Sequence, residues 1–523
     1  MKYSVKDYPA VQNRVNGMDV DELIKCVICP NTVMHSAEES EYENLLPPDV
    51  PVQMVVKPNV EKANSIKNFI ASQPNVKRLI CGDLECGAGK YIQGMTAFPS
   101  IMALGIINDE DLAYEVGCLA AQEGMEMGFN WSFAPCVDIV LNHDNPIVST
   151  RGISDSVETV IKIGGAYMRG MQDNGLIATL KHFPGDGMCK YDQHLTSPEN
   201  PMSMDEWYAS YGEVYKQLIA QGAKSIMPGH ISLPAYDDLD ENMGMYPPAT
   251  LSRKLITDLL RGELGFEGII VSDAINMSGF CGYMNFYDAC CTFLEAGGDC
   301  LLFAHGTEEF LKEIRNRIDS GLLRMETLRN RAYRMLCFAE EYHETKKTPE
   351  VRGIAKAQQC AKQVTERAIR IVRDRKNLIP CRIEKDTKIL HAIIQNNYVM
   401  DDVQRLTAEL SKFSAVVDEV TDPGPNFMKK VVLEANYDLI ICTVGCQPAF
   451  GLNSVRLHGK VAKNMMNGWT KFGTPVIFIN YGHPYLEEEY KAVMDTVINT
   501  YGTTAYTAEV LINLLRKREG ENE

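Results

Sequence analysis

Residues 176–183 read LIATLKHF, a short apolar run with Lys181 and His182 near its end. Six similar runs lie between Val50 and about Phe303, and longer amphipathic stretches such as 109–127 (DEDLAYEVGCLAAQEGMEM) separate them. Short buried strands that alternate with helices are typical of repeated βα units. The seven runs are VPVQMVVKPN from Val50, KRLICGDLE from Lys77, WSFAPCVDI from Trp131, LIATLKHF from Leu176, AKSIMPGH from Ala223, EGIIVSDA from Glu267 and GDCLLFAHG from Gly298.

Polar groups stand at the carboxyl ends of these predicted strands. In a parallel α/β barrel all of these ends meet at one mouth, where the reacting groups lie. An open doubly wound sheet also places its site at strand ends. The pattern therefore indicates parallel α/β and favours an irregular (β/α)8 TIM barrel, although only seven of its eight strands are found. The groups are Asp83, Asp138, Lys181, His182, His230 and Asp273.

The pattern changes after about Tyr342. The polar segment HETKKTPEVRG from His343, followed by a helical pattern from Ile354 to Val372, predicts a linker and a connecting helix. Further buried runs begin at Thr387, Tyr437, Thr474 and Asp495. We therefore predict a barrel-like catalytic domain over 1–345, a linker and connecting helix over 346–372, and a C-terminal α/β sandwich over 373–523.

Composition excludes several classes of protein. With 52 Lys and Arg against 69 Asp and Glu among 523 residues, the net charge is −17, which disfavours nucleic acid and anionic membranes as partners. The start MKYSVKDYPA lacks the apolar stretch of a signal peptide, so a cytoplasmic location is expected. The sixteen cysteines mostly stand singly in apolar runs, which indicates buried reduced thiols, and Cys26 and Cys29 lack partners at zinc-finger spacing. No metal is expected, and a homodimer stays open.

The densest cluster of reactive side chains is residues 181–194, KHFPGDGMCKYDQH. If 192–194 is extended, Asp192 and His194 point to the same side, so the carboxylate can bind one imidazole nitrogen and leave the other to exchange a proton. An incidental D-x-H in a surface loop is the alternative on spacing alone. We expect 188–201, here called the acid/base loop, to be mobile because it has few apolar residues.

A second element is EGIIVSDAINM at 267–277, a buried strand that places Asp273 at its carboxyl end. No basic residue is adjacent to it in sequence, which suits a nucleophile. The alternative is an N-cap for the helix that follows, since Ser and Asp are both good caps.

Taken together, these motifs resemble glycoside hydrolase family 3, and specifically its bacterial β-N-acetylglucosaminidase-like branch with a C-terminal domain. KHFPGDG at Lys181 is similar to the family's KHFPGxG, DQH at 192–194 to its D-x-H loop, and SDAINM at Ser272 to its nucleophile segment. Further similar pieces occur in order: GDLECGAG at Gly82, FPSIMALG at Phe98, FAPCVDI at Phe133, NP with a nearby Arg at 145–151, MPGH at Met227 and PATLS at Pro248.

The resemblance implies a role for each matched residue. Asp273 would be the nucleophile and His194 the general acid and base, oriented by Asp192. Asp138 and Glu85 would have supporting roles. The resemblance also implies a group of residues that binds the sugar: Asp83, Arg151, Lys181, His182 and His230.

Three positions depart from the family pattern. Asp186 stands where His is common, Gln193 where Ser is usual, and Ala274 where Asp is frequent. None of these departures removes a reacting atom, although Asp186 could alter subsite preference.

The implied reaction is a retaining hydrolysis that releases terminal β-linked N-acetylglucosamine through a covalent glycosyl-enzyme, with no metal or organic cofactor. A phosphorylase is an alternative, because a neutral imidazole base does not repel an anionic acceptor as a carboxylate would. A glucosidase or xylosidase of the same family and a catalytically silent sugar-binding protein are the remaining alternatives. The expected partner is a small glycoside containing N-acetylglucosamine.

Overall fold

The computed structural model describes residues 3–32, 38–73, 75–345, 353–396 and 400–516, and the chain divides into two compact units. The first unit comprises Met1–Thr96, Asn108–Val148 and Gly152–Ala357, and the second comprises Ala97–Ile107, Ser149–Arg151 and Gln358–Glu523.

Two short segments from the region predicted as barrel therefore group with the second unit. Hydrogen bonds within that unit hold them. The Ser100 amide donates to Tyr501 O at 3.2 Å, and Ser149 Oγ lies 2.8 Å from His483 Nδ1. Such contacts leave no trace in local sequence patterns.

The first unit is an irregular parallel barrel, which confirms the fold prediction. One sheet runs β2-β3-β4-β5-β6-β7-β8, β1 pairs with β9, and a bridge between Val271 and Cys300 continues from β8 towards β9. All of these pairings are parallel. The strands are β1 Ile28–Cys29, β2 Asn31–Thr32, β3 Val52–Val55, β4 Leu79–Gly82, β5 Trp131–Ser132, β6 Ile177–Phe183, β7 Ser225–Pro228, β8 Ile269–Ile270 and β9 Leu301–Leu302.

The eighth strand position, which the sequence did not reveal, is filled by β1 and β2 together. Pro30 separates the two strands, because it has no backbone N–H to donate to the hydrogen bonds of the sheet. Its carbonyl still accepts from the Met54 amide at 3.0 Å. Two pieces of two residues each show no periodicity, so this strand could not be found from apolar alternation.

Helices lie between the barrel strands. Two of the longer ones contain π-helical segments, Val160–Gly164 and Tyr208–Gly212. The helices of eight or more residues in the first unit are Pro9–Gly17, Val60–Ala71, Glu110–Glu126, Gly165–Asp173, Glu213–Ala220, the π-helical Lys254–Glu263, Phe286–Ala296, Glu308–Asp319 and Met325–Thr345. The helix Ile354–Ala368 spans the boundary between the units.

The second unit contains a six-stranded sheet of order β10-β15-β14-β13-β11-β12. Among the strands that the structure describes in this sheet, only β10 is antiparallel to its neighbour. The two strands that sequence patterns missed, β10 and β12, are the edge strands, and their side chains are largely exposed. The strands are β10 Arg370–Asp374, β11 Lys388–Gln395, β12 Val416–Thr421, β13 Leu439–Gly445, β14 Val476–Asn480 and β15 Thr496–Asn499.

Apolar cores cover both faces of this sheet. Along β11, Ile389 and Ile393 pack into one core, whereas Leu390 and Ile394 pack into the other, as the two-residue period of a strand requires. The first core includes residues of helices Met400–Leu410 and Thr507–Arg516, and the second includes residues of Pro425–Leu433 together with Trp469. The unit is therefore an α/β sandwich.

Two sequence expectations concern chemistry and location. All sixteen cysteines are free, and all but Cys86, Cys281 and Cys381 are buried. Over the described part of the chain, no helix combines the length and the apolarity that a membrane crossing requires.

Candidate active site

Strand β6 delivers Lys181 and His182 to the mouth of the barrel. All seven of its residues are buried, so the strand is held on both sides by β5 and β7. Lys181 Nζ donates to Asp83 Oδ1 at 2.9 Å and lies 2.7 Å from Glu85 Oε1. Lys181 is buried, whereas 38% of the Asp83 side chain is exposed. The cation is thus held between two carboxylates, of which Asp83 is open to a ligand.

His182 is oriented by a buried carboxylate. Its Nδ1 lies 2.7 Å from Asp138 Oδ2, which also accepts the His182 amide at 3.2 Å. Burial raises the pKa of Asp138, but His182, together with hydrogen bonds from the Asp186 amide and the Cys136 thiol, outweighs burial and holds the pKa below its ordinary value. Because Nδ1 is bound to the carboxylate, Nε2 faces the nucleophile candidate, 3.9 Å from Asp273 Oδ2.

Cys136 belongs to the same hydrogen-bonded group. Its thiol donates to Asp138 Oδ2 at 3.2 Å. Cys136, Asp138 and His182 offer three metal-ligating atoms within 4.8 Å of one another. Asp138 Oδ2 is the shared partner, because both the Cys136 thiol and the His182 ring bind it directly.

Asp273 follows strand β8 at the same mouth. Its amide donates to Pro228 O at 3.2 Å, and its Oδ1 accepts from the Ala274 amide at 2.8 Å. The next helix, Ser278–Cys281, has Met277 as its N-cap residue, so Asp273 does not cap it.

The Asp273 carboxylate is ionised in its surroundings. Its side chain is 14% exposed. Burial raises the pKa of Asp273, but three surrounding imidazoles, led by His182, together with the hydrogen bond from the Ala274 amide, outweigh burial and hold the pKa below its ordinary value. A charged carboxylate oxygen with little water around it is what a nucleophile needs.

Asp192 and His194 form the close pair that their spacing predicts. His194 Nδ1 lies 2.6 Å from Asp192 Oδ1, which also accepts the His194 amide at 2.9 Å. Asp192 is fully buried, whereas 28% of the His194 side chain is exposed. Because Nδ1 is engaged, Nε2 is the nitrogen that could exchange a proton with a ligand.

The acid/base loop has few apolar residues, and hydrogen bonds hold it instead. The His194 carbonyl accepts from the Ser278 amide at 3.0 Å, and the Gln193 carbonyl accepts from the Gly279 amide at 3.2 Å. Both donors lie just after the segment that carries Asp273. The loop is thus joined through the backbone to the segment that carries Asp273.

His230, predicted to bind the sugar, has both ring nitrogens on protein partners. Nδ1 lies 2.9 Å from Thr250 Oγ1, and Nε2 lies 3.0 Å from Ala274 O. Burial lowers the pKa of His230 to about 4, so the ring is neutral near pH 7. Since a carbonyl only accepts, Nε2 carries the proton. His230 therefore supports the segment next to Asp273.

Arg151, the remaining predicted sugar ligand, lies in the short helix Ser149–Arg151 of the second unit and is half-buried. Sequence reasoning gave Glu85 only a supporting role, although it reaches Lys181 as closely as Asp83 does. Its spacing of two residues from Asp83, just after β4, is the signal that could have revealed it.

Comparison with known proteins adds to this geometry. Residues 36–338 match the glycosyl hydrolase family 3 N terminal domain. A β-N-acetylglucosaminidase/β-glucosidase of Cellulomonas fimi is 29% identical in an alignment 473 residues long, which covers 86% of this chain and 83% of that protein.

Two solved structures extend the likeness over both units. The β-glucoside phosphorylase BglX bound to 2FGlc has a TM-score of 0.88 at 26% identity and covers 99% of this chain and 96% of its own. A family 3 β-N-acetylglucosaminidase from Paenibacillus sp. str. FPU-7 shares the fold, with a TM-score of 0.78, 21% identity, and coverage of 96% and 97%. The barrel and its mouth, with these likenesses, place the chain among glycoside hydrolases. It belongs to glycosyl hydrolase family 3, which confirms the resemblance of its motifs.

Proposed function

We propose that this protein cleaves terminal β-linked N-acetylglucosamine by a two-step displacement that retains the anomeric configuration. One observation carries the proposal: the ionised Asp273 carboxylate lies at the same barrel mouth as an Asp192–His194 pair whose Nδ1 is already bound. Names of similar proteins support the sugar, since the relative from Cellulomonas fimi is a β-N-acetylglucosaminidase/β-glucosidase.

In the first step, an Asp273 oxygen attacks the anomeric carbon while His194 Nε2 gives its proton to the leaving oxygen. The C–O bond to the leaving group breaks as the ester bond to Asp273 forms. The buried Asp192 carboxylate stabilises the imidazolium before transfer and keeps the ring in one orientation.

In the second step, His194 acts as a base and takes a proton from the acceptor, which attacks the anomeric carbon and releases Asp273. Lys181, Asp83 and His182 are proposed to bind the sugar hydroxyls, because cationic and carboxylate groups bind neighbouring hydroxyls strongly. His230 would act by supporting the segment beside Asp273. The role of Arg151 stays a prediction from its motif.

Phosphate as the acceptor is a second candidate. The general base is an imidazole, which is neutral after proton transfer and does not repel an anion as a carboxylate would. The match to the phosphorylase BglX spans nearly all of both chains. In that reaction phosphate oxygen forms the new bond to the anomeric carbon, and the product is the sugar 1-phosphate.

A labelling experiment tests the covalent step. The protein is incubated with a fluorinated N-acetylglucosaminyl fluoride, which forms a glycosyl-enzyme faster than the enzyme releases it. Mass spectrometry of peptides should find the label on Asp273. A label on another residue, or none on a demonstrably active enzyme, would refute the mechanism.

A product analysis separates the two acceptors. An aryl N-acetylglucosaminide is turned over with and without inorganic phosphate, and free sugar and sugar 1-phosphate are measured separately. Free sugar in both arms indicates hydrolysis, whereas phosphate-dependent sugar 1-phosphate indicates phosphorolysis. Efficient cleavage of the matching glucoside with no action on the N-acetylglucosaminide would contradict the proposed substrate.

A further inference from the structure

Gln193, the middle residue of the Asp192–His194 pair, has an unusual set of contacts for a loop side chain. It is 1% exposed. Its Oε1 accepts from the His230 amide at 2.7 Å, and its Nε2 donates to Asp186 Oδ2 at 3.3 Å. One carboxamide therefore joins three segments: the acid/base loop, the turn after β6 and the residues that follow β7.

The Asp186 end of this bridge is firmly held. Asp186 is fully buried, its amide donates to Asp138 Oδ1 at 2.7 Å, and its own Oδ1 accepts from Asn145 Nδ2 at 3.0 Å. Asp138 in turn orients His182. Asp186 and Gln193 are two of the three positions that depart from the family pattern, and here they bind each other.

The His230 end of the bridge leads to the nucleophile. The same residue whose amide binds Gln193 donates through its ring to the carbonyl of Ala274, the neighbour of Asp273. A second route runs through the backbone, because the Gln193 carbonyl accepts from Gly279. Displacement of Gln193 would therefore change the position of His194 relative to Asp273.

We propose that Gln193 is a positioning residue for the acid/base His194. Its carboxamide fixes the acid/base loop between Asp186 and His230. The His194 imidazole is thereby held in position to give a proton to the leaving group at the bond that Asp273 attacks. This inference rests on the proposed function, because it assigns Gln193 to the step in which His194 transfers a proton. Precise placement of a catalytic group matters, since a displacement of about 1 Å can cost about 100-fold in rate.

The principal test is Gln193→Met, which keeps the length of the side chain and removes both hydrogen bonds. For an alkyl N-acetylglucosaminide, whose leaving oxygen needs the proton, we expect kcat/KM to fall about 10- to 100-fold. For an activated aryl N-acetylglucosaminide the fall should stay below about 3-fold, because little protonation is needed. Gln193→Ser, which cannot overpack the site, should behave in the same way.

A structural readout accompanies the kinetics. Hydrogen–deuterium exchange of peptides covering 188–201 and 275–281 should speed up in Gln193→Met, since the bridge no longer restrains the loop. The matched control is Gln122→Met. Gln122 is also a buried glutamine with a side-chain hydrogen bond, to Asn174 Oδ1 at 3.3 Å, on a helix of the same unit. This control should change neither the leaving-group dependence nor exchange in those peptides.

Three results would overturn the proposal: equal loss on both substrates, unchanged kinetics on both, or faster exchange with no leaving-group effect. The variant His194→Ala, measured alongside, separates failure of this inference from failure of the proposed function. If His194→Ala shows the leaving-group dependence and Gln193→Met does not, only the positioning role is refuted. If neither shows it, His194 is not the acid, and both proposals fall.

Discussion

Replacement of His194 by alanine removes the proposed acid and base while leaving the nucleophile in place. In the structure His194 Nδ1 is bound to Asp192 Oδ1 at 2.6 Å, so Nε2 is the ring nitrogen proposed to give a proton to a leaving group. Asp273 should stay ionised in the variant, because His182 has the largest charge effect opposing burial and is retained.

The expected loss depends on the leaving group. General acid catalysis contributes about 10²- to 10⁴-fold, so kcat/KM for an alkyl N-acetylglucosaminide should fall by that factor, which corresponds to about 3–5 kcal/mol of transition-state stabilisation. An activated aryl leaving group departs without a proton, so its first step should lose no more than about 10-fold, or about 1.4 kcal/mol.

The assay is a stopped-flow measurement of aryl release combined with steady-state rates on both substrates. Because the base of the second step is also missing, the glycosyl-enzyme should accumulate and give a burst of aryl alcohol. Added azide, an anion that needs no base, should shorten the slow phase. The matched control is His343→Ala, which should leave both rates unchanged. His343 lies on the long helix Met325–Thr345, and its ring binds Arg78 O. Equal losses on the two substrates, without a burst, would refute the acid and base role.

Three further predictions concern orientation, stability and reactivity. Asp138→Asn should raise KM for the sugar about 10-fold or more, because it removes the carboxylate charge that binds both the ring and the amide of His182. Steady-state kinetics measure this KM, and an unchanged value would contradict the prediction. Burial raises the pKa of Asp299, but its three arginine partners outweigh burial and bring the pKa to about 2, below the ordinary value of 3.8. This group's contribution of about 2 kcal/mol to the free energy of unfolding is therefore fully present above about pH 4 and is lost as the pH falls towards 2. Denaturant titrations should show that Asp299→Asn flattens this part of the pH profile of stability, and an unchanged slope would contradict the assignment. A thiol reagent should label native protein fastest at Cys281, which is exposed, and label all sixteen cysteines after unfolding; fast native labelling of many thiols would contradict the buried environment of the rest.

Local patterns were sufficient for much of the fold and part of the site. The run 176–183 predicts β6, and the seven strand runs between Val50 and Phe303 match β3 to β9 in order. The Asp192–His194 contact also follows from spacing, because side chains two residues apart in extended chain point the same way. These features depend on the residues near them in sequence, so sequence alone predicts them.

Other features depend on contacts between distant segments. Strands β1 and β2 are too short to show a period, and Pro30 interrupts them, so only pairing with β9 and β3 makes them strands. The edge strands of the second unit lack an apolar run because little packs against them.

The amino-acid sequence by itself determined the βα repeat, the second α/β unit and the types of side chain proposed to react. Tertiary structure alone decided which carboxylates hold Lys181, that His230 supports the segment beside Asp273, and that Gln193 joins Asp186 to His230. The physical reason is distance along the chain: a contact between residues tens of positions apart depends on strand register and packing, and no local pattern of polarity records it.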